Sequence, residues 1–82
     1  MIRKTYKGFE LAAVPKQLSE SAQWTLEVVI TKHHDSRNET LTAPYSAANT
    51  FASKEEAENA SLEFGAKIID GSIPGLSVSS LL

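Results

Sequence analysis

Three adjacent residues, His33, His34 and Asp35, form the one cluster in the sequence that combines metal-ligand and acid-base side chains. Imidazole and carboxylate groups both bind divalent cations, and histidine changes its charge near neutral pH. Neighbouring residues of a strand point to opposite faces, so His33 and His34 do not share one ion unless the chain bends there. We therefore predict a solvated hairpin end here rather than a metal or catalytic site.

Other patterns of catalytic residues are missing from the sequence. No serine lies in a Gly-x-Ser-x-Gly elbow, and the four glycines lack the spacing of a phosphate-binding loop or a dinucleotide fingerprint. Four of the glutamates are spaced as on the solvent face of a helix, and we do not interpret them as a pair of catalytic carboxylates. They are Glu55, Glu56, Glu58 and Glu63. We expect no enzymatic activity, no cofactor and no small-molecule substrate.

Basic residues in the first half of the chain suggest a different function class. Residues 1–37 hold six basic and four acidic side chains, and Tyr6 and Tyr45 offer rings on which bases stack. The alternative hypothesis is therefore weak single-stranded nucleic-acid binding through Arg3, Lys4, Lys7, Lys32 and Arg37. A net charge of −2 argues against it, because such binding needs concentrated positive charge.

The best-defined element is a helix that begins after Ser53. Ser53 and Glu56 have the spacing of a capping box, in which each side chain bonds the backbone amide of the other residue. Gly71, followed by Pro74, predicts the end of the helix. Apolar and small residues at helical spacing predict one buried face, which comprises Ala57, Ala60, Ser61, Phe64 and Ile68. Gly65 is the discordant residue, since glycine weakens a helix unless close packing requires it.

Alternating apolar residues predict three strands ahead of the helix, over residues 7–14, 24–31 and 40–45. The polar residues 33–39 predict the turn between the second and third strands. Pro44 lacks an amide hydrogen, so the third strand is expected to lie at a sheet edge or to end early. Residues 46–50 are expected to cross to the helix.

These elements predict an α+β fold, in which a small antiparallel sheet of three or more strands, as one sheet or two, carries one C-terminal helix. The predicted core comprises Phe9, Leu11, Trp24, Leu26, Val28, Ile30, Ala57, Phe64 and Ile68. A chain of 82 residues forms a single small domain, which we place at residues 1–72. With no cysteine, no apolar run of membrane-spanning length and no signal-peptide pattern, we expect a cytoplasmic protein without membrane contact.

The C-terminal segment, residues 73–82, is uncharged and more apolar than a free tail. Three arrangements are considered: packing back over the sheet with Leu76 and Val78 as a short added strand, ordering on a partner, or fraying. The candidate partner-binding residues are Tyr45, Ile73, Leu76, Val78 and Leu81.

The order of these features resembles small uncharacterised bacterial proteins of β-β-β-α type, some of which are encoded within integrated prophages. The resemblance covers residues 6–71, and the segments that carry it are Tyr6-Lys7-Gly8-Phe9, Trp24 to Ile30, Phe51 to Ala57 and Ile68-Ile69-Asp70-Gly71. It implies a family without assigned activity, whose prophage members would be accessory or morphogenesis proteins, and it transfers no functional residue.

Our leading hypothesis is a non-enzymatic protein-protein interaction or assembly module. It would bind another protein or a second copy of itself through a sheet edge near Pro44 or through residues 73–82.

Overall fold

A computed structural model describes residues 2–82 as four strands followed by one helix. The elements are β1 (Arg3–Tyr6), β2 (Phe9–Ala13), β3 (Trp24–His34), β4 (Glu39–Phe51) and α1 (Lys54–Ile69), with short 3₁₀ turns at Asp35–Arg37 and Ser79–Leu81. Each strand pairs antiparallel with the next one along the chain, in the order β1-β2-β3-β4. The predicted α+β class is confirmed, and the four strands form one sheet.

The first predicted strand, residues 7–14, contains β2, whereas β1 ahead of it was not predicted. The chain reverses at Lys7 and Gly8, whose φ angles of 49° and 83° are both positive, as a type I′ hairpin turn requires. Tyr6 then pairs with Phe9, and Arg3 with Ala12. Lysine is an unusual residue at such a position, so the turn has only Gly8 as a sequence signal.

The second hairpin joins β3 and β4 and is longer than predicted. Its turn lies within the predicted residues 33–39, where a 3₁₀ turn is followed by Asn38 in the left-handed conformation. Pro44 lies in an edge strand, as predicted, but β4 does not end there. Residues 46–50 belong to β4 instead of crossing to the helix, because the pairing with β3 continues beyond a register shift to Phe51.

Both ends of α1 agree with the sequence signals. The Ser53 hydroxyl oxygen accepts the Glu56 amide at 3.1 Å, which is one of the two bonds of the predicted capping box. At the other end Gly71 has a φ of 74°, and the amides of Gly71 and Ser72 donate to the carbonyls of Ile68 and Lys67. This pair of bonds is a Schellman motif, which satisfies carbonyls that the helix leaves free.

Small residues on one side of α1 allow it to lie very close to the sheet. Ala57, Ser61 and Gly65 are all buried. A Cβ atom on Gly65 would lie 3.1 Å from methyl groups of both Leu11 and Val28. Close packing therefore accounts for the glycine that disagrees with its helical setting.

Ser61 is a buried polar residue that links α1 to β3. Its side chain is fully enclosed, and its hydroxyl oxygen accepts the Glu27 amide at 3.1 Å. The Glu27 carbonyl meanwhile accepts the Val14 amide just beyond the end of β2. The hydroxyl thus satisfies a strand amide at the point where β2 stops, and its own burial costs little.

The core lies between α1, one face of the sheet and the end of the chain. Most predicted core residues are buried, but Trp24 and Phe64 are only half-buried. Trp24 begins β3, with the Lys54 ammonium 5.7 Å from its ring centroid. Val78 and Leu81 are buried instead, at 7% and 2% exposure. Residues 73–82 thus lie against the sheet, and they do so through a 3₁₀ turn and not as an added strand.

We expect Gly65→Val to lower the free energy of unfolding by about 2 kcal/mol or more, because its side chain would overlap Leu11 and Val28. Asn59→Val is the control, since Asn59 is exposed on the same helix and the change is nearly neutral in helix propensity; replacing glycine by valine is by itself slightly favourable, so a loss at position 65 comes from packing. Urea unfolding of both variants measures the difference. Equal losses in the two variants would show that the close helix-sheet contact is wrong.

Candidate functional site

The outer edge of β4 is the longer of the two edges of the sheet. β4 runs for 13 residues and pairs with β3 on one side, and within residues 2–82 no strand pairs with its other side. The opposite edge of the sheet is β1, which has only four residues. A free edge offers amide and carbonyl groups to the backbone of another chain.

Alternation of the backbone identifies the groups of β4 that point outward. The Glu27 carbonyl points towards β2, because it accepts the Val14 amide. Val28 therefore points its amide and carbonyl towards β4, where its register partner is Tyr45. Pro44 and Ser46, which flank Tyr45 in the sequence, therefore point their backbone polar groups to the free edge. Because Pro44 faces outward, its missing amide hydrogen breaks no bond within the sheet.

The free edge is also uncharged over most of its length. From Thr40 to Ser53 the sequence contains no Asp, Glu, Lys or Arg. Charged residues are one feature that keeps exposed edge strands from pairing with other chains, and this stretch lacks them; an edge proline and an irregular register are two others, and both are present here. What interrupts it is Pro44 and the register shift opposite Thr25 and Leu26. The outward amide of Ser46 lies between these two interruptions.

A groove of about 440 Å³ lies between α1 and the second half of β4. Its apolar lining comprises Leu26, Ala47, Phe51, Ala60, Phe64, Ile73 and Pro74. Its polar lining comprises Asn49, Glu63, Lys67 and Ser72. The Lys67 ammonium lies 3.3 Å from a Glu63 carboxylate oxygen, so the two charges compensate each other. The groove is therefore an apolar surface with a polar but electrically neutral rim.

The first half of β4 is covered by the end of the chain. The Tyr45 hydroxyl donates to the Ser77 carbonyl at 2.8 Å, and His34 Nε2 lies 2.6 Å from the Leu81 carbonyl oxygen. The candidate partner-binding residues Tyr45, Ile73 and Leu76 are half-buried against the core, whereas Val78 and Leu81 are within it. Contact with a partner through Val78 or Leu81 would thus require residues 73–82 to leave the sheet.

The histidine cluster divides between different surroundings. His33 Nδ1 lies 3.1 Å from the Thr40 hydroxyl oxygen, whereas His34 contacts the end of the chain. Asp35 begins the 3₁₀ turn and is exposed. Across residues 2–82, no group of three or more His, Cys, Asp or Glu side chains has the geometry to hold a metal ion.

The five candidate nucleic-acid-binding residues do not form one surface. Arg3 lies 3.8 Å from Glu10 on the face of the sheet opposite α1. The Lys32 ammonium lies 5.1 Å from the centroid of the Phe9 ring on the helix side, and Arg37 lies at the hairpin tip. Lys4 is the register partner of buried Leu11, so it too lies on the helix side. Nucleic-acid binding stays an untested alternative.

The fifth of these residues, Lys7, belongs to a cluster that sequence reasoning missed. The Lys7 ammonium donates to Asp70 at 2.6 Å, and the Tyr6 hydroxyl donates to the same carboxylate at 2.8 Å. The bonds from Lys7 and then Tyr6 lower the pKa of Asp70, and the bond to Asp70 raises the pKa of both donors. The cluster ties the first hairpin to the end of α1. More than sixty residues separate Asp70 from Tyr6 and Lys7, so no local sequence pattern indicates the cluster.

Comparison with known proteins gives no match: no protein family, no curated protein and no solved structure matches the chain. Among the helices of the described residues, none is both long and apolar enough to cross a bilayer.

We expect Asp70→Asn to destabilise the protein between about pH 5 and pH 9 and to have less effect outside that range. The lowered pKa of Asp70 stabilises the fold above the ordinary carboxyl pKa, and this contribution disappears as the pH falls through the folded-state value. The raised pKa values of Lys7 and Tyr6 stabilise the fold below their ordinary values, and that contribution disappears at high pH.

The measurement is urea unfolding of both proteins at about pH 3, 7 and 11, which lie on either side of these ordinary pKa values. Glu63→Gln is the control, because it removes the exposed carboxylate that contacts Lys67. A difference between wild type and Asp70→Asn that did not change with pH would contradict the assigned contacts.

Proposed function

We propose that this protein is a non-enzymatic interaction or assembly module, and that the free edge of β4 accepts an extended strand from a partner. The observation that carries this proposal is the long, uncharged and unpaired outer edge, with backbone groups of Thr42 and Ser46 pointing outward. In this mode of recognition, main-chain hydrogen bonds supply affinity and alternate side chains supply specificity.

The edge of β4 is a better supported surface than the C-terminal segment. Val78 and Leu81 already fill the core of the same chain, and the Ser77 and Leu81 carbonyls already have partners in Tyr45 and His34. Releasing the segment would expose buried apolar area, whereas the outward groups of β4 are available without any rearrangement.

The face of the sheet opposite α1 gives further support to a protein partner. Glu10 lies near Arg3, and Glu27 lies 3.8 Å from Lys16, so acidic and basic groups alternate there. Small side chains occupy the centre of this face, where Ala12 and Pro44 flank Val29 in register. A face of mixed charge next to a free edge suits a protein strand better than a phosphate backbone.

The biological setting is part of the same proposal. The resemblance to small bacterial proteins, some of them prophage-encoded, supports an accessory or morphogenesis role within a larger cytoplasmic assembly. A module that extends its sheet into a neighbouring protein fits such a role, because the contact is made mainly by backbone and needs no reactive group.

A blocked heptapeptide, Thr-Ser-Leu-Thr-Leu-Ser-Thr, serves as the strand probe. We expect it to slow hydrogen exchange at the outward Ser46 amide. We expect Ser46→Pro to bind it about three- to tenfold more weakly, because one hydrogen-bond donor is removed. Ser46→Val is the matched control, since valine keeps the amide and suits a strand. Binding and exchange are both measured by NMR titration.

Pro44 shows that β4 accepts a proline whose nitrogen points outward, so Ser46→Pro is expected to fold. If saturating probe leaves the exchange of the Ser46 amide unchanged in wild type, strand addition at this edge is wrong.

A further inference from the structure

The groove between α1 and β4 adjoins the edge to which a strand would be added. Ala47 and Phe51 contribute to its lining from β4 itself. Alternate side chains of a strand paired with this part of β4 would point to the helix side of the sheet, where the groove opens. The groove and the free edge are therefore parts of one continuous surface.

We infer that this groove binds the side chains of the added strand and selects an extended, uncharged peptide with aliphatic residues at two alternate positions. This inference rests on the proposed strand addition at β4. The occupant is uncharged because Glu63 and Lys67 neutralise each other at the rim. It is aliphatic because the lining is formed largely by Leu26, Phe51, Phe64 and other apolar residues.

A peptide fits this surface better than a small apolar molecule does. A volume of about 440 Å³ lies within the range of small-molecule sites, so size alone does not decide between them. The adjacent strand edge decides, because the outward amide of Ser46 can bond a peptide carbonyl and finds no acceptor on a hydrocarbon. The peptide uses both parts of the surface, whereas a small molecule uses only one.

A second copy of the chain is a poorer occupant than another protein. The residues of its β4 that would face the helix side next to the groove include Leu41, Ala43 and Tyr45. In each copy these side chains are packed against the core and covered by the C-terminal segment. A copy therefore has no free aliphatic side chains at alternate positions of this strand to place in the groove.

The test uses the heptapeptide described above and a second one in which both leucines are serine. We expect the leucine peptide to bind wild type at least tenfold more tightly, because two aliphatic side chains leave water. Ala60→Phe places a ring in the groove without changing the edge of β4, and it should weaken binding of the leucine peptide by about tenfold. Ala47→Leu serves the same purpose from the strand side.

Ala52→Phe is the matched control, because Ala52 is exposed and does not line the groove. If the leucine peptide protects the Ser46 amide but binds Ala60→Phe, Ala47→Leu and Ala52→Phe with equal affinity, the groove assignment is overturned and strand addition stands. If the Ser46 amide is not protected at all, the proposed function fails, and the inference fails with it.

Two further results would assign the groove to a different occupant. If cyclohexanol shifts the resonances of Ala60 and Phe64 as strongly as the leucine peptide does, and does not slow exchange of the Ser46 amide, the groove is a small-molecule site. Shifts of the same resonances when the protein alone is concentrated would show a second copy. Either result overturns the inference.

Discussion

The close contact of α1 with the middle of the sheet determines the arrangement of everything around it. A helix with its side chains is about 10 Å wide, whereas the axes of four strands at a spacing of about 4.8 Å span roughly 14 Å. Gly65 lies directly over Leu11 and Val28, so the helix covers β2 and β3. One helix in that position covers β4 only in part, so the rest of the apolar helix-side face of β4 must be covered by something else.

The chain covers only half of that face with its own residues. Val78 and Leu81 lie against the first half of β4, held by the hydroxyl of Tyr45 and by His34. Beside the second half, Ile73 and Pro74 form one end of the groove, and Phe51 and Phe64 remain half-buried. The groove is thus the unfilled remainder of a sheet that is wider than its helix, and it lies beside β4, the longer of the two sheet edges that pair with no further strand within residues 2–82.

Local signals predicted the helix and its ends well, because Ser53, Glu56 and Gly71 act within a few residues of their partners. The buried face of β3 was predicted for the same reason, since the strict alternation of apolar residues from Leu26 to Ile30 is a local pattern. β1 was missed because its turn depends on Lys7 in a left-handed conformation. The Asp70 cluster and the groove were missed because their members come from distant parts of the chain, and only the tertiary fold brings them together.

The consecutive order of the four strands has a consequence for how the chain folds. Each strand pairs with the next one along the chain, so no strand of the sheet depends on a segment that follows the helix. α1 packs on strands that precede it in the chain, and the bonds from Tyr6 and Lys7 to Asp70 join the first hairpin to the end of the helix. During synthesis the strands can therefore pair in chain order, before the helix that covers them has left the ribosome.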